Sequence, residues 1–493
     1  MLKQIRTTLA AVMMIGITWL FLDFTGTAYH WFAWMPKIQL LEALLAVNVV
    51  ALVILVVMTL VFGRIYCSII CPLGIMQDIF GWLGKKAKKN RYTFSKAKSW
   101  LRYTVLVAGI GCWVMGVGSI VQLLAPYSAF GRIATNLLQP VYQAGNNVLA
   151  AIAEHYDNYA FYHSDVWLRS VASLVIATVT LVVLAVLAWR NGRTYCNTVC
   201  PVGTLLSLLS RFSFLKIRFD QEKCKNCSLC TKNCKAACID FKTHHVDASR
   251  CVVCGDCIDS CKFGALEYKG YSFSEHSKTN DKGIDSSKRS FLLATATLTT
   301  AALAQQKDKM MDGGLAEIED KVAPERQSPL TPPGSRSKEN FEQRCTGCQL
   351  CISECPNEVL RPSSDLMHLM QPVMSYERGY CRPECNRCSE VCPAGAILPI
   401  KPEDKASTQI GHAVWIKKNC IPLTDGVECG NCARHCPVGA IEMVPSDPDD
   451  EESAYIPAVN EARCIGCGAC EYLCPARPFS AIYVEGHEVH KEV

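Results

Sequence analysis

The cysteines are the residues of this chain whose spacing could do chemistry. Of the thirty cysteines, twenty-four form six groups of four. Five groups have the spacing C-x2-C-x2-C-x3-C or a near relative of it: Cys224, Cys227, Cys230, Cys234; Cys251, Cys254, Cys257, Cys261; Cys345, Cys348, Cys351, Cys355; Cys381, Cys385, Cys388, Cys392; and Cys464, Cys467, Cys470, Cys474. The sixth group is stretched and contains Cys420, Cys429, Cys432 and Cys436.

Runs of this kind predict [4Fe–4S] clusters. Three thiolates on one short loop, with a fourth a turn later, suit a cubane whose irons each need one sulfur ligand. Structural zinc usually takes two separate C-x2-C pairs, and cysteines this close on tight loops would form strained disulfides. Four of the fourth cysteines precede proline, as in bacterial ferredoxins: Cys355, Cys392, Cys436 and Cys474. We therefore expect six [4Fe–4S] clusters, with these twenty-four cysteines as metal ligands, in an electron-transfer protein.

In two-cluster ferredoxins, the fourth cysteine of each run serves the other cluster. One cluster is therefore predicted to bind Cys224, Cys227, Cys230 and Cys261, and its neighbour to bind Cys251, Cys254, Cys257 and Cys234. The remaining four runs form two more such pairs. The spacing leaves open whether neighbouring runs pair, or whether the run at 345 pairs with that at 464 and the run at 381 with that at 420.

The elements that must position these cysteines begin with an apolar first half. Four runs in the first 210 residues approach the roughly 20 residues that span a bilayer. These runs are 7–24, 40–62, 103–124 and 168–189. The predicted fold class is an α-helical membrane bundle of four transmembrane helices (1–211), joined to α+β bacterial-ferredoxin-like domains. The first of these is a two-cluster domain (212–270) and the second a four-cluster domain (341–493).

Basic residues predict the orientation of the bundle. Nine Lys and Arg residues lie between positions 64 and 102, whereas the segment 125–166 has only Arg132. Both ends of the bundle and the two-cluster domain are therefore expected on the cytoplasmic face of a bacterial inner membrane. The formal net charge of +5 is mostly this excess, so it does not indicate nucleic-acid binding.

The bundle also contains a repeat. The segments GRIYCSIICPLG (63–74) and GRTYCNTVCPVG (192–203) agree at seven of twelve positions, and each ends in a C-x3-C-P motif. Their four cysteines, Cys67, Cys71, Cys196 and Cys200, could together ligate a seventh cluster, form redox-active dithiols or shape a docking surface. The simpler alternative is a helix-ending proline with incidental cysteines.

Other redox groups have little support in the sequence. No histidine lies near the centre of an apolar run, and no C-x2-C-H motif is present, so haem is not predicted. A quinone is a possible cofactor, because Glu42 and His30 near the outer end of the second run could accept protons from a quinol. A glutamate in that position can equally be solvated. Cys112 is expected to be an inert buried thiol, and Cys238 has no predicted role.

Residues 271–340 are predicted to link the two cysteine-rich domains. Within them, residues 287–304 are similar to a twin-arginine export signal, with Lys288-Arg289 in place of the arginine pair. A working signal would place 341–493 in the periplasm, across roughly 30 Å of hydrocarbon from the other clusters. A diffusible quinone is then the expected link. The alternative is a short surface helix, with all six clusters on the inner face.

The chain resembles two ferredoxin families joined end to end. Residues 1–270 resemble the NapH/MauN membrane ferredoxins through the four apolar runs, the two C-x3-C-P motifs and the two-cluster domain. Residues from about 287 resemble the exported NapG/MauM ferredoxins with four clusters. The resemblance implies oxidation of the quinol pool and electron delivery towards a periplasmic reductase, such as nitrate reductase, or a multihaem cytochrome. The chain departs from the families' pattern in three ways: the fusion itself, Lys288, and the absence of proline after Cys234 and Cys261.

Two further expectations concern cluster pairing and function. A resemblance to the four-cluster electron-transfer subunits of molybdenum enzymes favours nested pairing of the last four runs. The competing function is a maturation factor that supplies electrons for metal reduction during assembly of a metalloenzyme. No residue set resembles a substrate-converting site, so the chain is predicted to be an electron-transfer component whose one candidate enzymatic step is quinol oxidation.

Overall fold

The structure is a computed structural model that describes residues 2–23, 25–87, 92–270 and 319–492. The predicted export signal at 287–304 and most of the predicted linker lie outside the described residues. In the described part of the chain, a helical bundle is followed by two cysteine-rich regions made of short helices and two-stranded sheets. One continuous core of buried residues runs from the bundle into both regions.

The bundle is built from helices of unequal length. They are α1 (Leu2–Leu22), α2 (Thr27–Phe32), α3 (Trp34–Lys37), α4 (Leu40–Leu45), α5 (Val49–Phe62), α6 (Tyr66–Ile69), α7 (Pro72–Lys86), α8 (Ser99–Val114), α9 (Ser119–Leu124), α10 (Pro126–Ile133), α11 (Gln139–His155), α12 (Val171–Asn191), α13 (Thr194–Thr198) and α14 (Pro201–Ser210). A π-helical turn at Ala134–Leu138 connects α10 to α11. Among the described helices, the segment Lys3–Leu22 of α1 and the whole of α12 are long and apolar enough to cross a membrane.

The other two predicted spans are divided. The run at 40–62 breaks between α4 and α5, where Val47 has a φ of 53°, and the run at 103–124 breaks between α8 and α9, where Gly116 has a φ of 83°. A residue in the left-handed region ends a helix, because the following peptide no longer continues the helical hydrogen bonds. Helix length therefore does not confirm four continuous transmembrane helices, and the four-span bundle stays a prediction.

Two segments fold back into the bundle. In the segment α2–α4, Met35 packs against Gly16 in the middle of α1. The backbone N–H of Leu40 donates a hydrogen bond to the Tyr66 hydroxyl, 3.1 Å away. In the segment α9–α10, the ring of Tyr127 lies 6.0 Å from that of Phe21, at the end of α1. Both segments thus reach inward, and the first contacts a tyrosine next to a C-x3-C-P cysteine.

The two-cluster region has two small antiparallel sheets. β1 (Lys216–Phe219) pairs with β4 (Leu266–Lys269), and β2 (Ile239–Asp240) pairs with β3 (His245–Val246). Between the strands lie the short helices α15 (Leu229–Asn233) and α16 (Asp256–Ser260), which pack against each other. Each begins beside the third cysteine of a run and ends just before the fourth.

The C-terminal region repeats this plan. Its elements are α17 (Lys338–Arg344), α18 (Leu350–Ser353), β5 (Leu360–Pro362), β6 (Pro372–Met374), α19 (Arg387–Val391), α20 (Pro402–Ala406), β7 (Thr408–Trp415), α21 (Ile421–Thr424), α22 (Asn431–Arg434), β8 (Ile441–Asp447), β9 (Asp450–Val459), α23 (Ala469–Leu473) and β10 (Ile482–Glu492). The antiparallel strand pairs are β5–β6, β8–β9 and β7–β10. A buried ion pair of 2.6 Å between Arg326 and Glu471 holds the preceding segment against α23.

The two-cluster region lies at one end of the bundle. Lys3, at the start of α1, forms an ion pair of 3.3 Å with Asp256. The backbone N–H of Phe214 donates to the carbonyl of Leu60, near the end of α5, at 2.7 Å. These contacts place the region at the end where α1 begins and α5 ends.

The C-terminal region lies at the opposite end. The Tyr29 hydroxyl, just beyond α1, donates to the Glu390 carbonyl at 2.8 Å. The Gln349 side chain donates to the Ser173 hydroxyl at the start of α12, at 2.9 Å. The bundle therefore separates the two cysteine-rich regions.

Candidate redox centres

Four of the six cysteine runs share an unusual backbone geometry. The residues on either side of the second cysteine both have positive φ: Asn226 and Ser228, Val253 and Gly255, Gly347 and Gln349, Gly466 and Gly468. Two left-handed residues so close together curl the loop around a common point. At Val253 this conformation is costly, because a β-branched side chain disfavours it. Such strain persists where function requires it, which fits loops shaped around a bound group.

The two-cluster region brings both predicted ligand sets together. Cys224, Cys227, Cys230 and Cys261 line one small cavity. Cys257 is buried beside the other three members of the second set, Cys251, Cys254 and Cys234. The exchange of fourth cysteines is thus present in the geometry, although cluster binding at these residues stays a prediction.

The last four runs pair as neighbours. One cavity is lined by Cys355, Cys381, Cys385 and Cys388, and another by Cys420, Cys429, Cys432 and Cys474. Cys345, Cys348 and Cys351 lie with Cys392, while Cys464, Cys467 and Cys470 lie with Cys436. Nested pairing is therefore wrong. The reason is that α18 packs on α19 and α22 packs on α23, which carries each fourth cysteine to the adjacent run.

The sets follow one another in space. The backbone N–H of Cys381 donates to the Cys467 carbonyl at 2.9 Å, so the 345/381 pair abuts the 420/464 pair. Among the described residues, no group of three or more His, Cys, Asp or Glu side chains is arranged to hold a single metal ion.

Cys238 is a residue that the sequence analysis left without a role. It is buried, and its Sγ lies 3.6 Å from that of Cys234. It also lies beside Cys251, so it touches two members of the second predicted set. The sequence does carry a signal for this position of Cys238: no proline follows Cys234, and a further cysteine comes four residues later. Cys112, in contrast, is only half-buried, so the expectation of a buried thiol is wrong.

The C-x3-C-P prolines begin helices. Pro72 is the first residue of α7 and Pro201 the first of α14, with Cys71 and Cys200 at the preceding cap positions. Proline suits the first helical position, because its fixed φ is helical and its missing N–H needs no partner there. The alternative of a helix-ending proline is therefore wrong.

The two motifs form one centre with approximate two-fold symmetry. Arg64 Nη2 donates to the Cys196 carbonyl at 3.1 Å, and Arg193 Nη1 donates to the Cys67 carbonyl at 2.6 Å. Each repeat's arginine thus contacts the other repeat's first cysteine. All four thiols are buried, and Cys71 interacts electrostatically with the other three. We call this group of Cys67, Cys71, Cys196 and Cys200 the four-thiol centre.

Two fully buried arginines flank the four-thiol centre. Arg193 forms an ion pair of 2.8 Å with Asp78, which also pairs with Arg6 and Lys235. Among the described residues, no carboxylate pairs with Arg64. Its guanidinium instead lies 2.9 Å from Asn197 Oδ1 and 3.8 Å from Cys67 Sγ. A buried charge without a counter-charge is costly, and the arginines would stabilise negative charge on the thiols that they approach, Cys67 and Cys196.

A cavity of about 630 Å³ lies where the bundle meets the C-terminal region. Its walls come from α4, α8, α9 and α14, together with residues 342–346, which include Cys345. The lining is mainly apolar, with Trp113 and Gln122 near the cysteine end. A cavity of this size and character suits an apolar molecule with a few polar groups.

An acid–base pair borders this cavity. Glu342, one of its lining residues, lies 3.4 Å from His368. Burial raises the pKa of the Glu342 carboxyl above its ordinary value, and the neighbouring His368 opposes the rise. This pair is not evident in the sequence, because only the fold brings residues 342 and 368 together. Of the predicted proton acceptors, His30 is exposed, whereas Glu42 is buried against Thr346.

Comparisons with known proteins agree with an iron–sulfur protein. A family model described as "4Fe-4S binding domain" matches residues 44–91 and 171–220, and each stretch contains one C-x3-C-P motif. A second, described as "4Fe-4S dicluster domain", matches residues 427–477.

Three curated relatives are ferredoxin-type proteins. The chain is 30% identical over 151 residues to the methylamine utilization protein MauM of Methylobacillus flagellatus, covering 29% of this chain and 63% of MauM. It is 27% identical over 178 residues to MauN of Paracoccus denitrificans, covering 36% of this chain and 49% of MauN. It is 29% identical over 162 residues to NapF of Escherichia coli, covering 32% of this chain and 87% of NapF.

The chain therefore matches about half of MauN and less than two thirds of MauM. The predicted resemblance is confirmed, because the relatives and the family models together support a fusion of NapH/MauN-type and NapG/MauM-type ferredoxins. They also support iron–sulfur electron transport by 4Fe–4S ferredoxin-like domains.

Proposed function

We propose that this protein is a membrane-bound polyferredoxin that passes electrons from the quinol pool towards a periplasmic oxidoreductase. The twenty-four cysteines of the six runs would hold six [4Fe–4S] clusters, each of which exchanges one electron at a time. In this proposal the bundle binds the quinol, and the C-terminal region receives its electrons.

The observation that carries this proposal is the position of the cavity of about 630 Å³. It is bounded by apolar bundle helices on one side and by Cys345 on the other. A quinol head group there would lie next to a predicted cluster ligand, and its isoprenoid tail would lie among Leu41, Leu45 and Leu106.

The surface of the bundle supports insertion into a bilayer with four spans. Apolar side chains on the outward faces of α1, α5, α8 and α12 are exposed, for example Ile15 (64%), Val53 (54%), Val107 (68%) and Val175 (48%). Apolar surface of this extent needs a cover of lipid or protein. In the proposed topology, the two-cluster region faces the cytoplasm and the C-terminal region faces the periplasm, at opposite ends of the bundle.

Glu342 and His368 would handle the protons. Oxidation of a quinol to a quinone releases two electrons and two protons. Glu342 lines the cavity and can take a proton from the quinol hydroxyl when its carboxyl is ionised. His368, 3.4 Å from Glu342, can receive that proton, which leaves Glu342 free to take the second one. The electrons enter the C-terminal region at the Cys345 run.

The proposal is tested with the full-length, cluster-loaded protein in quinone-free nanodiscs. Metal analysis should find about twenty-four to twenty-eight irons per chain, four for each of six or seven cubanes. Addition of a reduced quinol should bleach the visible absorbance of the clusters. Stoichiometric zinc in place of iron, or loaded clusters that no quinol reduces, would contradict it.

A cysteine variant locates the entry point. Cys348→Ser should remove one cluster at the cavity and block reduction of the C-terminal clusters by quinol. The two-cluster region should stay loaded, because it lies at the other end of the bundle. Chemical reduction with dithionite should still bleach all remaining clusters, which separates loss of quinol oxidation from loss of the clusters themselves.

A further inference from the structure

The four-thiol centre lies between the two cysteine-rich regions, and hydrogen-bonded residues link it to each of them. On one side it meets the second cysteine set of the two-cluster region. The backbone N–H of Arg193 donates to the carbonyl of Lys235, the residue after Cys234, at 2.7 Å. The Asn197 side chain donates to the next carbonyl, that of Ala236, at 3.1 Å.

This contact is close enough to exclude a side chain. A Cβ atom at Gly192 would overlap the Lys235 carbonyl oxygen, and Gly192 has a φ of 68°, which favours glycine. The second repeat therefore packs backbone to backbone against the loop that carries Cys234. A single residue, Arg193, joins that loop to Cys67 and Cys196.

On the other side, the centre reaches the first cysteine run of the C-terminal region. Tyr195, next to Cys196, donates its hydroxyl proton to the Leu124 carbonyl at 2.7 Å. Two residues earlier, the Gln122 side chain donates to the carbonyl of Cys345 at 3.1 Å. The path from Cys196 to Cys345 thus consists of two side chains, two hydrogen bonds and a short piece of backbone.

The charges around the centre fit a bound anionic group. Arg64 is fully buried, and Arg64 Nε and Arg193 Nη2 have no hydrogen-bond partner among the described residues. Cys67 Sγ lies 3.8 Å from Arg64 Nη2, and Cys196 Sγ lies 3.9 Å from Arg193 Nη1. A cluster held by four thiolates carries net negative charge and would balance these guanidinium groups. The symmetry of the two repeats supplies two thiols from each half.

We propose that the four-thiol centre holds a seventh iron–sulfur cluster that connects the two cysteine-rich regions directly, so that electrons cross the bundle without a diffusible quinone. A soluble one-electron donor protein would reduce the two-cluster region. One electron then leaves the Cys251 set as the four-thiol centre gains it, and leaves the centre as the Cys345 set gains it. No proton moves and no covalent bond changes in either step. The inference rests on the proposed function only for cluster loading and membrane insertion.

The experiment uses full-length, loaded protein in quinone-free vesicles, oriented with the two-cluster region outside. Dithionite outside serves as the impermeant reductant, and ferricyanide trapped inside serves as the acceptor. Wild-type protein should bleach the trapped ferricyanide. Cys196→Ser should lose about four irons per chain and abolish the transfer, with the other clusters retained. The matched control, Cys112→Ser, changes a bundle cysteine outside the centre and should transfer electrons as the wild type does.

A second variant covers the case in which Cys196→Ser does not fold. Tyr195→Phe keeps the ring and removes the hydrogen bond to Leu124, so it should keep the wild-type iron content and slow the transfer severalfold. Wild-type vesicles that transfer electrons only after quinone is added would overturn the proposal. So would a Cys196→Ser protein that transfers at the wild-type rate. Quinol oxidation in the nanodisc assay is independent of both outcomes, so failure of the proposed function remains distinguishable.

Discussion

At the scale of single residues, Arg64 is the side chain that most constrains the chemistry of the bundle. Its guanidinium is fully buried, and no carboxylate among the described residues pairs with it. A neutral environment would make that charge expensive. Thiolates in the four-thiol centre would balance this charge. The arginine of each GRIYC or GRTYC segment is therefore tied to the cysteines that follow it.

Glu342 is the side chain that most constrains the chemistry of the cavity. It lies three residues before Cys345, at the start of the C-terminal region, yet it borders an apolar cavity shared with the bundle. Burial holds the pKa of Glu342 above its ordinary value of 4.5. A carboxyl tuned upward in this way is a better proton acceptor near neutral pH than a solvated one.

The first prediction concerns this residue. Glu342→Gln removes the proton acceptor, so quinol-driven cluster reduction should slow by about a hundredfold. In the wild type, the rate should rise as pH increases through the raised pKa of Glu342, because only the ionised carboxyl accepts a proton. That rise should disappear in the variant. Stopped-flow absorbance across a pH series measures both effects.

Its control is Glu442→Gln, which changes an exposed carboxylate on β8. This variant should keep both the rate and the pH profile of the wild type. An unchanged pH profile in Glu342→Gln would show that another group accepts the proton.

At the scale of elements, α10 is the helix on which the C-terminal region rests. Gly131, inside α10, faces the Cys348 carbonyl so closely that a Cβ atom would overlap it, and the ring of Phe21 lies 2.9 Å from the same position. Arg132 supports the preceding turn by donating to the Gln122 carbonyl at 2.9 Å. The position of the inward segment α9–α10 therefore determines where the Cys345 run contacts the bundle.

The second prediction tests that contact. Alanine usually stabilises a helix relative to glycine by about 1 kcal/mol. At Gly131, however, the added methyl group should destabilise the docked region by about 1–3 kcal/mol, because it overpacks a backbone contact. Hydrogen–deuterium exchange should become faster in α10 and in the loop 345–351.

The matched control is Gly145→Ala in α11, where nothing lies within 4 Å of the new Cβ. It should leave exchange at 345–351 unchanged and raise helix stability by about 0.5–1 kcal/mol. Equal behaviour of the two variants would mean that α10 does not hold the C-terminal region.

At the scale of the whole molecule, the cysteine sets lie in one row that runs from one end of the protein to the other. The exposed Cys227 belongs to the outermost set of the two-cluster region. The row continues through the Cys251 set, the four-thiol centre and the Cys345 set. It then passes through the Cys381 and Cys464 runs, which touch each other, to the Cys420 set. The order in space follows the order in sequence only in part, because the bundle motifs lie in the middle.

The third prediction concerns sidedness. Asp449, in the turn between β8 and β9, and Lys242, beside β2, are exposed at opposite ends of the molecule. In intact spheroplasts, a membrane-impermeant maleimide should label Asp449→Cys at once and Lys242→Cys only after lysis. Labelling of both positions only after lysis would place all clusters on the cytoplasmic side and make the acceptor a cytoplasmic protein.

The sequence by itself determined which cysteines can serve a cluster. Spacing within a run is a local property, since three thiols on a seven-residue loop can converge whatever surrounds them. The same holds for the exchange of Cys234 and Cys261 within the first pair, and for the repeat that relates the two C-x3-C-P motifs. Hydropathy located the apolar half of the chain, although it did not reveal the breaks at Val47 and Gly116. The mean hydropathy of each run stays high because a single polar residue, Asn48, or a glycine changes it little.

Only the tertiary structure decided how these parts are joined. The packing of α18 on α19 and of α22 on α23 selected neighbouring pairs over nested ones. The approach of Gly192 to Lys235 and of Gln122 to Cys345 placed the four-thiol centre between both regions. Such contacts link residues far apart in the chain, and they depend on which surfaces can be buried together. No short-range pattern of residue types carries that information.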